Sequence, residues 1–376
     1  MNQRTRIPRR SRRKMAPSLD QLEARQLLSA APAHFHAEPL RHYHASVAEM
    51  GWHVHHRSAG VSAHAATPNA TSTDFSAVPS PSVNGATLVA TAAIADNDIW
   101  AVGRGGGDGP GTLAEHFDGK RWSVVPTPPL PSGGINGPGG QFFGVSGTAS
   151  NDVWAVGFKI GPDNPDFGEQ LIEHWNGTAW SEVTSPLVEG DSLRAVAAIS
   201  ANDVWAVGDR SEQGFENALI EHWDGTAWSI VPDSSISGVG AITDILPSVS
   251  ADASNDVWAV GNETLLHFNG TSWSEVPSPL LHANAVTALS PTNAWAVGTV
   301  TVFADHRQHN KPAIEHWDGT SWTIVSSPNP NPVPTKDTAL HGIAAVSADD
   351  IRAVGTGNFS TISGTATLIE HWDGTS

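Results

Sequence analysis

A glutamate followed directly by a histidine recurs along this chain, and a carboxylate beside an imidazole is a side-chain pair suited to general acid–base catalysis. The pairs are Glu115-His116, Glu173-His174, Glu221-His222, Glu315-His316 and Glu370-His371, with Leu266-His267 at the equivalent place in one repeat. Neighbouring residues of a β-strand point to opposite faces, so the two side chains of a pair cannot readily touch. The recurrence therefore favours a structural task, such as a bond from the histidine to the backbone or to an aspartate.

Metal ligation is the second chemistry that the residue types suggest. Alternating histidines near the N-terminus could bind Zn, Ni or Cu through their imidazole nitrogens. The candidate ligands are His34, His36, His42, His44, His53, His55 and His56. Ala, Ser, Gly and Pro surround them without a regular apolar period, so residues 31–72 are predicted to be a His-rich disordered linker. The absence of cysteine excludes disulfides and thiolate metal sites.

Two phrases repeat six times between Asp98 and Gly374, and they predict the elements that carry these residues. One reads NDVWAVG, and the other reads EHW, then Asp-Gly or Asn-Gly, then T-x-W-S. A repeat of about fifty residues is typical of a solenoid or a propeller. The aspartate before Val-Trp, as at Asp152 and Asp203, is predicted to be a turn residue that binds nearby amides.

The third repeat divides into four short apolar runs. They are Leu193 to Ile199, Asp203 to Val207, Ala218 to Trp223 and Ala227 to Val231. Asp224-Gly225 between the last two indicates a hairpin turn of type I′. Four antiparallel strands per repeat form the blade of a β-propeller, whereas the coils of the competing β-helix lack this hairpin. The prediction is an all-β, six-bladed β-propeller of four-stranded antiparallel blades, spanning residues 73–376.

Every tryptophan except Trp52 falls at one of three fixed repeat positions. The second-strand set includes Trp154, Trp205 and Trp258, and the last-strand set includes Trp180 and Trp228. Each ring can bury about 150–250 Å². With His174 and His222, these tryptophans are predicted to be structural residues that pack blade against blade.

The two ends of the repeat region predict how the ring closes. The sixth repeat stops at HWDGTS, before its last strand, and residues 73–81 read TDFSAVPSP, with Phe75 in the place of the tryptophan. An N-terminal strand is therefore expected to complete the last blade and remove two exposed sheet edges. If the chain is a fragment, the blade count is higher.

The N-terminal segment, residues 1–30, combines a basic run with a targeting-like stretch. Leu22 to Ser29 reads LEARQLLS and resembles the Leu-Glu-Pro-Arg-x-Leu-Leu motif of planctomycete surface and exported proteins, with Ala24 in place of the proline. The resemblance implies export or surface display. An amphipathic helix with a basic tail is the alternative. No run of eighteen apolar residues occurs, so no membrane-spanning helix is predicted.

Residues 75–376 resemble the NDVWAVG and HWDGTxWS repeat proteins of planctomycetes and myxobacteria, which are distantly Kelch-like. The resemblance implies a propeller. The double glycine of true Kelch repeats is absent, so no Kelch function follows from it. The repeat region is also strongly acidic within a chain of net charge −18, which predicts that it does not bind nucleic acid.

The blade connections predict one uniform and one variable face. The SxND and Asx-Gly turns are short and alike, whereas the loops between the second and third strands differ, and function is expected on the variable face. The candidate ligand-binding residues there are Asp163, Asp166, Glu169, Asp209, Arg210, Asp305, His306 and Arg307. The acidic loop with Asp163 could bind Ca but lacks the spacing of an EF-hand. No cofactor is otherwise predicted.

Two functions remain open from the sequence. The favoured one is an exported or cell-surface, non-catalytic binding or scaffold module, monomeric, with an unidentified protein or polysaccharide partner. No catalytic residue is predicted, because the residues that look catalytic repeat in most blades. The alternative is an extracellular carbohydrate-active hydrolase or lyase with two carboxylates at the channel mouth.

Overall fold

A computed structural model describes most of the repeat region. The described residues are 78–81, 83–106, 111–130, 139–160, 168–186, 190–212, 215–232, 236, 245–262, 264–279, 282–304, 306–327, 337–358 and 365–375. The chain divides into two compact units, Met1–Ala66 and Thr67–Ser376, and every described residue belongs to the second. The predictions for residues 1–72, including the seven candidate metal ligands, lie outside the described residues.

Twenty-three β-strands form six antiparallel sheets. Blade 1 comprises β1 (Thr87–Ala95), β2 (Asp98–Arg104), β3 (Thr112–Phe117) and β4 (Trp122–Val124); blade 2 comprises β5 (Gly140–Ala149), β6 (Asp152–Ile160), β7 (Gly168–Trp175) and β8 (Trp180–Glu182); blade 3 comprises β9 (Ser192–Ser200), β10 (Asp203–Glu212), β11 (Phe215–Trp223) and β12 (Trp228–Ile230). Blade 4 comprises β13 (Ser248–Ala253), β14 (Asp256–Val260), β15 (Leu265–Phe268) and β16 (Trp273–Glu275); blade 5 comprises β17 (His282–Ser290), β18 (Asn293–Ala304), β19 (Arg307–Trp317) and β20 (Trp322–Val325); blade 6 comprises β21 (Thr338–Ser347), β22 (Asp350–Asn358) and β23 (Thr365–Trp372). The all-β, six-bladed propeller predicted from the repeat is confirmed. No helix in the described part of the chain is long and apolar enough to cross a membrane.

The Asx-Gly turn closes the third and fourth strands of blades 1 to 5. The predicted type I′ turn was wrong, because Asp224 does not have a positive φ and four residues, 224–227, lie between the paired Trp223 and Trp228. In blade 3, Gly225 has φ +93°, a conformation open to glycine without strain. The Asp224 carboxylate accepts hydrogen bonds from the backbone N–H of Thr226 (2.8 Å) and of Ala227 (3.0 Å). These donors, with the Thr226 hydroxyl, lower the pKa of Asp224 to about 2. The turn sets the register in which Trp223 faces Trp228.

The blades pack in sequence order through their first strands and through paired tryptophans. β1 packs on β5, β5 on β9, and so on to β17 on β21, so the first strands line the axis of the propeller. Trp100 of blade 1 meets Trp180 of blade 2 edge-on, with ring centroids 5.2 Å apart. The same contact recurs as Trp154–Trp228, Trp205–Trp273 and Trp258–Trp322. Edge-to-face indole pairs add to the stabilisation that burial of the rings provides.

Blade 6 differs from the others because its described part has three strands. β23 is the edge strand of that sheet, and the expected closing strand would pair with it. Residues 73–77 of that strand lie outside the described residues, and Val78 is 55% exposed.

Two connections predicted to be loops are extended β-hairpins. In blade 3, β10 and β11 stay paired as far as Glu212 and Phe215, and in blade 5, β18 and β19 stay paired as far as Ala304 and Arg307. The run TVTVF from Thr299 to Phe303 alternates β-branched residues, which favours strand continuation. Blade 5 therefore extends a two-stranded arm from the variable face, and Phe303 near its tip is 77% exposed.

Candidate functional site

The recurring histidine binds the aspartate of the neighbouring second strand. His174 Nε2 lies 2.8 Å from Asp152 Oδ1, and its ring packs on Trp154 with centroids 4.3 Å apart. Equivalent contacts are His116–Asp98 (2.8 Å), His222–Asp203 (2.8 Å), His267–Asp256 (2.7 Å) and His371–Asp350 (2.9 Å), with His316–Asn293 (3.0 Å) in blade 5. The prediction that this aspartate binds nearby amides was wrong: its carboxylate binds the imidazole and, in two blades, the indole N–H of the second-strand tryptophan.

The recurring glutamate faces the opposite side of the blade, where it meets the preceding blade. A serine of the preceding interblade connection donates a hydrogen bond to it in three blades: Ser185 to Glu221 (3.4 Å), Ser278 to Glu315 (2.8 Å) and Ser327 to Glu370 (2.6 Å). Burial raises the pKa of Glu221 to about 7. The glutamate and the histidine thus act on two different blade interfaces, and neither makes a catalytic pair with the other.

Glu173 is the exception among these glutamates. The equivalent connection of blade 1 carries Thr127, whose hydroxyl bonds Thr112 instead. Glu173 is fully buried, and neither carboxylate oxygen has a hydrogen-bond partner among the described residues. Burial, reinforced by the nearby charge of Glu182, raises the pKa of Glu173 to about 8. The group is therefore a buried, protonated carboxyl at neutral pH, enclosed in the interface with blade 1.

The last residue of the NDVWAVG phrase shapes the inner strands. A Cβ on Gly208 would stand 2.0 Å from the backbone oxygen of Ser192, so only glycine permits the approach of β9. Gly208 faces Leu193 and Val207 faces Ala195, which leaves Arg194 unpaired as a β-bulge. A bulge re-aims its side chain relative to the rest of the strand. The same close approach occurs at Gly103, Gly157, Gly298 and Gly355.

One bulge residue per blade results, and its identity differs in every blade. The residues at this position are Val89, Phe143, Arg194, Pro247, Asn284 and His341, which we call the bulge ring. Five of them are bulges in the ladder with the second strand, and Pro247 directly precedes β13. All six are half-buried or exposed, whereas Phe142, Leu193, Leu246 and Leu340, each just before a ring residue, are fully buried. Each ring position lies near the variable-face end of its first strand.

Neighbouring members of the bulge ring touch across blades. The Arg194 guanidinium stands over the Phe143 ring at 5.0 Å, and Phe143 stacks on Phe158 at 5.6 Å. Arg194 Nε also donates to Asp209 Oδ1 at 2.6 Å, in an ion pair that is mostly shielded from solvent. At the other side of the ring, the Asn284 amide donates to the backbone oxygen of Leu340 at 2.7 Å. These contacts hold Arg194 and Phe143 in defined positions on the variable face.

A second polar network lies behind this cluster, between blades 2 and 3. Arg210 Nε is 3.6 Å from Asp191 Oδ2, and Asp191 is fully buried. The Gln170 amide donates to Glu221 Oε1 at 2.9 Å and to Ser185 Oγ at 2.8 Å. The network is only partly satisfied, because Gln170 Oε1 and Glu221 Oε2 have no hydrogen-bond partner among the described residues.

The structure brings only some of the predicted ligand-binding residues together. Asp209 and Arg210 lie on β10 beside the bulge ring, and Glu169 lies on β7 opposite Lys159. His306 (φ 62°) and Arg307 lie at the tip of the blade 5 arm. Asp163, Asp166 and Asp305 lie outside the described residues.

Arg194, Asp191 and Phe143 were not predicted as site residues. Their segments were interpreted as apolar first strands or connections. The signal that points to them is a charged side chain at Arg194 where the aligned residue of other repeats is Val, Phe, Pro, Asn or His. No group of three or more metal-ligating side chains occurs among the described residues, so the geometry outlines no metal centre there.

The comparisons with known proteins concern the fold alone. No family model matches the sequence, and no curated protein matches it. The chain is similar to the solved structure described as YCF48 bound to D1 peptide, with 14% identity over 80% of this chain and 85% of that one, and a TM-score of 0.49. It is also similar to the structure of a protein from Lactobacillus plantarum, with 8% identity over 74% and 82% of the two chains and a TM-score of 0.46. No residue role follows from similarity at this level.

Proposed function

We propose that this protein is a non-catalytic binding module that holds a polypeptide partner at the bulge ring. The observation that carries the proposal is the contrast at neighbouring positions of one strand. The position before the bulge is apolar in every blade and buried in blades 2 to 6, while Leu88 of blade 1 is 38% exposed. The bulge position changes in every blade and remains accessible. A rigid scaffold that presents a different side chain from each repeat is suited to recognition.

The chemistry of the ring favours a polypeptide over a sugar or a nucleic acid. Val89 and Pro247 offer apolar surface, Phe143 offers an aromatic ring, and Arg194 offers an oriented guanidinium. Aromatic residues and arginine are enriched at protein interfaces and among their hot spots. No member of the ring is a carboxylate, so the ring itself supplies no acid–base pair for glycoside hydrolysis.

The proposal includes export, and the sequence at Leu22 to Ser29 supports it through its resemblance to a motif of exported proteins. Fractionation of cells that produce the full chain tests this part separately. Recovery with the envelope or the medium is expected, and recovery only from the cytosol would contradict export without touching the binding proposal.

Crosslinking of the purified chain to native envelope proteins tests the binding proposal. An Arg194→Ala variant and an Arg121→Ala variant make a matched pair, because Arg121 is exposed in the Asx-Gly turn of blade 1, on the uniform face. We expect Arg194→Ala to lose at least tenfold in recovered partner, and Arg121→Ala to behave as the unaltered protein. If both variants recovered the same amount of partner, the bulge ring would not be part of the binding interface. Polysaccharide turnover that Asp209→Asn abolishes would contradict the non-catalytic function.

A further inference from the structure

The blade 5 arm, formed by β18 and β19 beyond Thr299, has one covered edge and one open edge. On the β19 side, the backbone N–H of Asn310 donates to Asp337 Oδ1 at 2.9 Å. On the β18 side, the pairing with β17 ends where Thr299 lies opposite His282. No strand in the described part of the chain continues beside β18 from there to the tip of the arm.

The hydrogen bond to Asp337 also shows in which direction the backbone groups of β18 point. Asn310 lies directly opposite Thr301. Because the Asn310 N–H points away from β18, the two residues form a non-hydrogen-bonded pair of the antiparallel ladder, and the N–H and C=O of Thr301 also point outward. The same holds for Phe303, two residues further along β18. Among the described residues no backbone group bonds to the outward groups of either residue.

The open edge of the arm lies on the same side of β18 as the axis of the propeller. β17, which pairs with this edge below Thr299, is the axis-lining strand of blade 5. Asn284, the bulge-ring residue of this blade, lies on β17 at the level of Gly298. Thr301 lies three residues beyond Gly298, which at about 3.4 Å per residue is roughly 10 Å. A polypeptide that crosses the bulge ring can therefore reach this edge.

The side chains along this edge are uncharged, and the outermost is aromatic. Residues 299–304 read TVTVFA. Phe303 is 77% exposed, whereas Val300 and Val302, on the opposite face of the strand, are half-buried. Natural sheets protect exposed edges with charged residues, with proline or with a covering loop. Asp337 gives such cover to the β19 edge, and no charged residue or proline protects the β18 edge, which is therefore suited to receive another strand.

We propose that the β18 edge at Thr301 and Phe303 binds an extended segment of the polypeptide partner as an added β-strand, an inference that rests on the proposed function. A row of outward N–H and C=O groups at strand spacing is matched by another polypeptide backbone. In strand addition the main-chain hydrogen bonds provide affinity and the side chains provide selectivity. Phe303 supplies an apolar contact to the added strand, and the bulge ring binds side chains further along the segment. Pairing with a second copy is disfavoured, because each chain has a net charge of −18.

Proline substitutions on the two edges of the arm test strand addition. Thr301→Pro removes an outward N–H and keeps the hydrogen bonds between β18 and β19, and Gln308→Pro does the same on the β19 edge, because Gln308 lies opposite Phe303. In crosslinking to native envelope proteins, we expect Thr301→Pro to lose about tenfold or more in recovered partner and Gln308→Pro to lose none. Equal recovery with both variants, while Arg194→Ala loses the partner, would overturn strand addition and leave the proposed function intact. No partner recovered by the unaltered protein would overturn both.

Amide hydrogen exchange of the unaltered protein tests the same edge without any substitution. In the free protein, the N–H groups of Thr301 and Phe303 should exchange about tenfold faster or more than that of Val302, which bonds within the arm. In the crosslinked complex, both should slow by about tenfold or more, while the N–H of Gln308 should not change. Unchanged exchange at Thr301 and Phe303 in the complex would overturn the proposal even if the proline variants failed to fold. A complex in which the crosslinked partner is a second copy of this chain would overturn it as well.

Discussion

The repeated and the unrepeated positions of the inner blades differ in what surrounds them. His222 binds Asp203 and stacks on Trp205, and the same trio recurs in most blades because each interface makes the same physical demand. Arg194 occupies a bulge whose geometry depends on the neighbouring Gly208 and on no side chain at the bulge itself. The difference teaches that repetition marks the residues that hold blades together. Variation marks the positions where the scaffold leaves the side chain free.

The largest expected effect concerns a repeated tryptophan. Trp205 is buried in the core between blades 3 and 4, edge-on to Trp273. Trp205→Ala should cost about 4 kcal/mol in the free energy of unfolding, because it removes a fully packed ring and leaves a cavity. Denaturant unfolding measures this. Phe303→Ala, at an exposed site, should cost less than about 0.5 kcal/mol. If both variants lost the same free energy of unfolding, the repeated tryptophan would not be more important for stability than the unrepeated phenylalanine.

The effect of the buried Glu173 on the stability of the protein is expected to depend on pH. Its pKa is raised to about 8 by burial. A carboxyl with a raised folded pKa contributes its full stability below its unfolded value of 4.5 and loses that contribution as the pH rises through the folded value. Glu173→Gln should therefore be more stable than the unaltered protein by roughly 3 kcal/mol at pH 8, with the gain fading towards pH 5.

Unfolding curves across that pH range measure the difference. Glu275→Gln, at an exposed position of β16, is the control and should show no such trend. A Glu173→Gln variant whose stability advantage does not grow with pH would show that the buried carboxyl keeps its ordinary titration.

A substitution of Gly208 tests whether the bulge at Arg194 depends on the glycine opposite it. Gly208→Ala would bring a Cβ to 2.0 Å from the Ser192 oxygen, so the strands must separate, at a cost of about 2 kcal/mol. Gly168→Ala, where the nearest atom is 3.4 Å away, is the control. We expect amide exchange to accelerate in β9 for the first variant only. An unchanged β9 would contradict the role given to the NDVWAVG glycine.

The smallest effect concerns the histidine bond. Asp203→Asn gives blade 3 the arrangement of blade 5, where Asn293 already binds His316. The loss of a carboxylate partner should cost about 1 kcal/mol in the free energy of unfolding, as denaturant unfolding would show. The reverse change, Asn293→Asp, should raise the pKa of His316, which burial lowers in the unaltered protein. Unaltered NMR titration of His316 in the Asn293→Asp variant would show that the partner's charge does not matter.

The periodic features of the sequence predicted the architecture well. NDVWAVG and the Asx-Gly turns led to the six blades, because local turn chemistry and apolar periodicity determine strands. The site was only partly predictable. A bulge is a property of pairing between strands, so Arg194 was hidden in a run interpreted as apolar. Asp203 was interpreted from local turn preference alone, and the histidine that binds it lies on the next strand.

Replacing the whole bulge ring by serine tests the central claim most directly. The six substitutions at Val89, Phe143, Arg194, Pro247, Asn284 and His341 leave every repeated residue in place. The claim predicts a variant whose melting temperature stays within about 5 °C of the unaltered protein and whose recovery of crosslinked envelope partners is lost. Retained recovery would contradict the claim, because binding would then reside outside the ring.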